Sequence, residues 1–250
     1  MRKEHGLLFK AEMIRALLNT REDVWPPQAI DPALPFKGQT RRLIEPQPTP
    51  EFGFGDKITP HFYEPALEDK RTGEIYPGKE VFGFANEDSG WVCPHLVGTL
   101  IYAKETHKIT VRSTIIFAAD KPQDRAGEVD RAFGPWKPSI FMRKEYARLW
   151  FEVKEVRVER VNAISEADAM AEGIIKETVT LGRKRGDPDY DVFALKPGNH
   201  CDWEMSAKAV YKKLWDSING KGDFDKGNWV WAYSLRRLSE KELARLRAQE

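Results

Sequence analysis

Cysteine is nearly missing: Cys93 and Cys201 are the only two in 250 residues, too few for a disulfide framework. Each has a histidine close by, in Cys93-Pro94-His95 and in His200-Cys201, and two Cys with two His compose a tetrahedral zinc set. The spacing inside each pair is tighter than zinc ligands usually show, and the pairs lie far apart. They read as two separate pairs, and neither a metal nor a cofactor is expected. Long apolar runs are missing too. None approaches the length of a membrane span, and Met1-Arg2-Lys3-Glu4-His5 leads into no signal-peptide core. A cytoplasmic protein without a membrane partner is the expectation. Nor does charge of one sign dominate: 40 basic residues face 39 acidic ones, for a formal net charge of +1. Global charge therefore does not advertise non-specific binding to long nucleic acid. Arg41, Arg42, Arg112 and Arg143 still leave room for a local basic patch.

What is present is enough for a packed core, with 41% hydrophobic residues under a surface fed by 32% charged ones. The length suits one large domain, or a core domain carrying sizeable insertions. Residues 6–9 read as a short strand. Over 11–18, Met13, Ile14, Leu17 and Leu18 share one helical face. Four prolines make 19–36 a loop, and 45–90 reads as irregular with one hairpin around Thr72-Gly73. Strands are expected over 99–104 and 109–118, and 120–133 as a polar stretch. The best strand is 149–161, where the alternation slips between Val153 and Val156 and predicts a bulge. Ser165 reads as a helix N-cap, with Gly173 as the stop. Arg183-Lys184-Arg185-Gly186-Asp187 is a solvated loop. An amphipathic helix follows over 206–218, with Ala209, Val210, Leu214 and Trp215 on one side, then a strand over 229–235 and a helix over 240–249. Short strands interrupted by a few helices, without regular alternation, indicate an α+β fold.

Chemistry concentrates at Phe36-Lys37-Gly38-Gln39-Thr40-Arg41-Arg42. A glycine turn delivers a lysine and a threonine three residues apart, and two arginines follow at a strand start. An amine that activates a hydroxyl nucleophile needs these types, and arginines suit phosphate or carboxylate recognition. On pattern alone, a lysine in a turn before a strand also reads as a solvated surface residue.

This run resembles the Lys-x-x-Thr-x-Arg turn of ASCH-domain proteins. The resemblance begins at Leu7-Leu8-Phe9 and Met13-Ile14-Arg15-Ala16-Leu17-Leu18. It continues through Leu100 to Thr106, Trp136 to Met142, Val156 to Arg160, Ile164 to Ala169 and Leu214 to Gly220. It is thus similar, over most of its length, to the longer ASCH proteins of bacteriophage and prophage genomes. The resemblance implies a single domain over 1–250 with a PUA-like fold, a partly open β-barrel with flanking helices, and large insertions at 19–36, 45–90 and 178–203. It also implies a setting in the cytoplasm of a bacterium or a phage-infected host.

The small bacterial ASCH enzymes that deacetylate N4-acetylcytidine use a lysine, a threonine and a glutamate. By resemblance these fall on Lys37, Thr40 and Glu172, the last in the run Ser165 to Glu172. Arg41, Arg42, Glu105 and Trp136 are the implied substrate-binding residues, although a lone carboxylate such as Glu105 is more often a structural partner for an arginine. The sequence departs from the family in the loop before Lys37 and in Val97-Gly98-Thr99, where Pro-Gly-Asp is usual. The implied activity is hydrolysis of a modified nucleoside or base. A module that binds RNA or a modified base without changing it, and an ASCH-type ribonuclease, are the alternatives. Among the tryptophans, Trp136, Trp203 and Trp229 adjoin Pro, Asp or Asn and are expected to expose stacking rings more than Trp150 or Trp231.

Overall fold

Strands fall where β-branched and aromatic residues concentrate. The computed structural model describes residues 4–31, 34–48, 58–68, 74–86, 89–110, 114–120, 135–180, 189–196, 198 and 203–249. Within them the strands are β1 (Glu4–Leu8), β2 (Gln39–Leu43), β3 (His61–Tyr63), β4 (Ala66–Glu68), β5 (Ile75–Pro77), β6 (Val81–Ala85) and β7 (Gly90–Val92). They continue with β8 (Leu100–Lys104), β9 (His107–Ile109), β10 (Ile115–Phe117), β11 (Trp150–Arg160), β12 (Ile175–Thr180), β13 (Asp189–Ala194) and β14 (Trp229–Leu238). The α-helices are α1 (Ala11–Leu18), α2 (Glu166–Ala171), α3 (Ala207–Asn219) and α4 (Glu240–Ala248). The fold is mixed α+β and rich in sheet.

Five strands form the main sheet in the order β1-β8-β11-β14-β2. β1 runs parallel to β8, and every other neighbour is antiparallel. β11 and β14 are its long spine, paired from Trp150↔Leu238 to Arg160↔Trp229. The register shifts between Val153 and Glu155, which is the bulge that the slipped alternation predicts. The two edge strands come back toward each other. Arg42 of β2 donates from Nη2 to the Leu8 carbonyl of β1 at 2.8 Å, and its guanidinium lies 5.3 Å from the Phe9 ring centre. No strand ladder joins β1 to β2 among the described residues, so the sheet curls without closing.

One apolar core fills the curl, with Leu17, Ile101, Phe151, Val153, Trp229 and Trp231 among its members. Phe84 and Trp91 of β6 and β7 stack on each other at 5.2 Å and extend this core. A second core packs α2 and α3 against Val161, Ile174 and Val230. α4 covers Leu100, Trp150 and Leu238 with Leu243 and Leu246. Serine caps open three helices: Ser165, Ser206 and Ser239 each accept a backbone N–H three residues on. Among the described residues no helix is long and apolar enough to cross a membrane.

Three expectations need correcting. The stretch 45–90 is more ordered than an irregular insertion: β3, β6 and β7 form a sheet, and β4 pairs with β5 on either side of the expected hairpin turn. The turn itself, at Thr72-Gly73, lies outside the described residues. The stretch 109–118 is not one strand, because Ile109 pairs back onto Ile115 in a β9–β10 hairpin. The β12–β13 hairpin was not expected at all. Glu177 interrupts its otherwise apolar inward face and Phe193 its otherwise polar outward one, which blurs the alternation. The expected polar stretch at 120–133 and the charged loop at 183–187 fall almost wholly outside the described residues.

Candidate functional site

Lys37 sits where three elements meet. Its backbone N–H donates to Ala16 O at 3.2 Å and to the Thr20 hydroxyl at 3.1 Å, tying it to the end of α1. Gly38 then donates to Ala171 O at 2.8 Å and accepts from Leu235 N–H at 2.8 Å, tying the turn to α2 and β14. A Cβ on Gly38 would meet Pro27 at 2.5 Å, so only glycine allows the proline-rich loop to close on this turn. α2 ends at Glu172, and Gly173 takes the left-handed conformation (φ +106°) that turns the chain away. Glu172 and Lys37 are consequently paired in an isolated antiparallel bridge.

The side chains then assemble an ion cluster. Lys37 Nζ donates to Glu172 Oε2 in a short ion pair and to the Glu172 main-chain oxygen at 3.1 Å. Arg41 Nη1 donates to Glu172 Oε1 at 2.9 Å, its Nε to Glu159 at 2.6 Å, and its Nη2 to Asp168 at 3.3 Å. Asp168 also accepts from Arg157 at 3.2 Å and from Gln39 at 2.7 Å. With Arg42 nearby, four cations face three carboxylates. The arginines keep their protons. Burial draws the Lys37 pKa below its ordinary value, with Arg42 and Arg41 adding to the effect and Glu172 opposing it. Burial alone would lower Arg41 as well, but Glu172 and Glu159 outweigh it and hold its pKa above the usual value.

Beside the cluster lies a cavity of about 590 Å³. It fills the gap between the curled edges of the sheet, with Phe9 on one side, Thr40 and Arg42 on the other, and Glu172, Tyr211 and Trp215 across the end. This volume is in the range of small-molecule sites. The Thr40 and Tyr211 hydroxyls make no hydrogen bond to another described residue, and both residues line the cavity. Burial, reinforced by the Glu172 charge, raises the Tyr211 pKa well above its ordinary value, so the phenol stays neutral and able to donate.

Compared with protein-family models, with curated proteins and with solved structures, the chain matches none.

Of the residues singled out from the sequence, Lys37, Thr40, Arg41, Arg42 and Glu172 come together here. Glu105 does not line the cavity. Its carboxylate is held at both oxygens by Arg148, at 2.9 and 2.8 Å, and is almost fully buried. Trp136 also lies off the cavity wall, with Lys108 Nζ 4.5 Å from its ring centre. Trp229 is a core residue with 1% exposure, because Arg160 covers its ring at 4.1 Å. The exposed stacking ring expected there is therefore ruled out, and Trp203 is only half-buried. The aromatic walls are instead Phe9, Tyr211 and Trp215. Tyr211 went unread because a tyrosine on an amphipathic helix looks like core; its one signal is its place a turn before Leu214 and Trp215. Cys93 Sγ donates to His95 O at 3.3 Å, while His200, Cys201 and Arg112 lie outside the described residues. Among the described residues no group of three His, Cys, Asp or Glu is disposed to hold a metal ion.

Proposed function

We propose that this chain is an amidohydrolase of the ASCH group, with a PUA-like fold, that removes an acyl group from the exocyclic amine of a modified nucleoside or base. The observation that carries this reading is that Thr40 and Glu172 line one cavity of nucleoside size, with Lys37 buried behind the wall and ion-paired to Glu172. A sheet that curls with its edges approaching but unpaired is compatible with a partly open barrel.

Thr40 Oγ1 attacks the acyl carbonyl carbon, and the proton it loses passes to the Lys37–Glu172 pair. Lys37 is the member of the cluster able to accept it as a neutral amine, since burial already disfavours its charged form. The Tyr211 hydroxyl donates a hydrogen bond to the oxygen that becomes negative. The C–N bond breaks, the amine departs with the proton, and the acyl group is left as an ester on Thr40. Water then attacks that ester, giving one proton to the pair. The acyl group leaves as the carboxylic acid, which ionises in water, and the proton held by the pair returns to Thr40.

A ribonuclease is the second reading: Arg41 is committed to three carboxylates, but Arg42 lines the cavity, gives one N–H to the Leu8 carbonyl and keeps its Nε–H unpartnered. The test is mass-spectrometric detection of products from N4-acetylcytidine and a panel of N-acylated nucleosides. Turnover by the wild type should fall by about 10³-fold or more in Thr40→Ala, with melting unchanged. A wild type that turns over none of the panel removes the hydrolase reading.

A further inference from the structure

A second hollow, of about 290 Å³, lies beside the end of β2 and away from the main cavity, walled by Trp25, Pro27 and Phe36 and floored by Gln39, Glu155 and Asp168. Trp25 is 43% exposed, yet the loop that carries it is firmly held. Thr20 bridges Ala29, and Arg21 N–H donates to Gln28 O at 2.8 Å. Asn19 gathers the carbonyls of Asp31, Leu34 and Pro35, and Asp23 accepts from both the backbone and the hydroxyl of Ser239. A large aromatic face kept in water on a clamped loop, over a hollow, is a surface built to be covered.

The polar chemistry of the floor is one-sided. One N–H of the Gln39 amide goes to Asp168, and the Ser234 hydroxyl to Glu155 Oε2 at 3.2 Å. Apart from the Trp25 indole and the second Gln39 amide N–H, the side chains have acceptors to offer. Glu155 has no cationic partner among the described residues, and its second carboxylate oxygen has no partner there at all. The β11 bulge is what sets Glu155 opposite Ser234 in the ladder and so at this hollow. Aromatic rings beside an unneutralised carboxylate attract a positive charge by cation–π and Coulomb interaction together, and the Glu155 carboxylate repels phosphate.

We propose that this hollow is a binding site for an organic cation, an ammonium or guanidinium group, held between Trp25 and Glu155. The site is independent of the activity proposed above. Calorimetric titration of the full chain tests it. Agmatine and spermidine serve as free cations, N-acetyl-arginine amide and N-acetyl-lysine amide as basic side chains, and inorganic phosphate as the anion. At least one cation should bind saturably with Kd of about 1 mM or tighter, and phosphate should not bind. Trp25→Ala and Glu155→Gln should each weaken that binding by about tenfold, with melting curves close to wild type. Tighter binding of the free amines assigns the site to small cations, and tighter binding of the amides assigns it to a basic side chain of a partner. No binding by any of the four cations, or binding that neither substitution weakens, overturns the proposal.

Discussion

Lys37 and Glu172, 135 residues apart, meet twice: as main-chain bridge partners and as side chains in one buried ion pair. The backbone contact fixes the side-chain contact, so the pair is positioned by the fold itself. Neither charge can leave for water without taking its strand or helix end with it.

Breaking this pair from one side leaves a buried charge short of a partner. Lys37→Met is expected to cost about 3 kcal/mol in urea unfolding, and Glu172→Gln a similar amount. The double variant should lose less than the two together, by about 1–3 kcal/mol, since it strands neither group. Strictly additive losses would show that the pair contributes nothing as a pair.

The lowered Lys37 pKa sets the sign of a pH effect. Over a window that ends near the ordinary lysine value of 10.5, the unfolded chain carries a proton there that the folded chain has released. Stability therefore rises with pH in that window, by at most about 1.4 kcal/mol per unit. Relative to Lys37→Met, the wild type should gain between pH 7 and pH 10; the tyrosines are common to both proteins and cancel. A flat or falling difference means that Lys37 holds its proton throughout.

Tyr211 supplies the only phenol lining the main cavity among the described residues. Tyr211→Phe keeps the ring and its packing but removes the donor, so kcat on an accepted substrate should fall about 10²-fold with KM and melting little changed. An unaltered kcat would reduce Tyr211 to a wall of the cavity.

Glu105 is expected to act on stability alone. Glu105→Gln gives up one charge-assisted bond to Arg148 and should lower the unfolding free energy by about 1–3 kcal/mol, leaving kcat/KM as it was. A loss of activity without a loss of stability would return Glu105 to the substrate.

The elements legible in the sequence are those fixed by local chemistry. Ser165 and the slip after Val153 announce a cap and a bulge through neighbours a few residues away. The β9–β10 hairpin escaped because Ile109 and Ile115 through Phe117 share one β-branched, apolar character, which hides the reversal between them. The site was legible only in its first half. Lys37 and Thr40 stand in one short run, but nothing local to Glu172 distinguishes it from any helix-ending glutamate, and only the family resemblance pointed to it. Trp229 was misjudged because its neighbour Asn228 suggests a turn, whereas long-range packing against Arg160 decides its burial.

Among the described residues a single guanidinium, not a ladder, spans the gap between β1 and β2 at Arg42 and Leu8. A ladder parts only when several bonds break together, but one charged bond of about 1.5–3 kcal/mol is broken in roughly one molecule in ten to one in a hundred at any instant. The seam beside the cavity can thus breathe while β11 and β14 stay paired, and entry to the cavity needs no hinge or lid beyond the swing of one side chain.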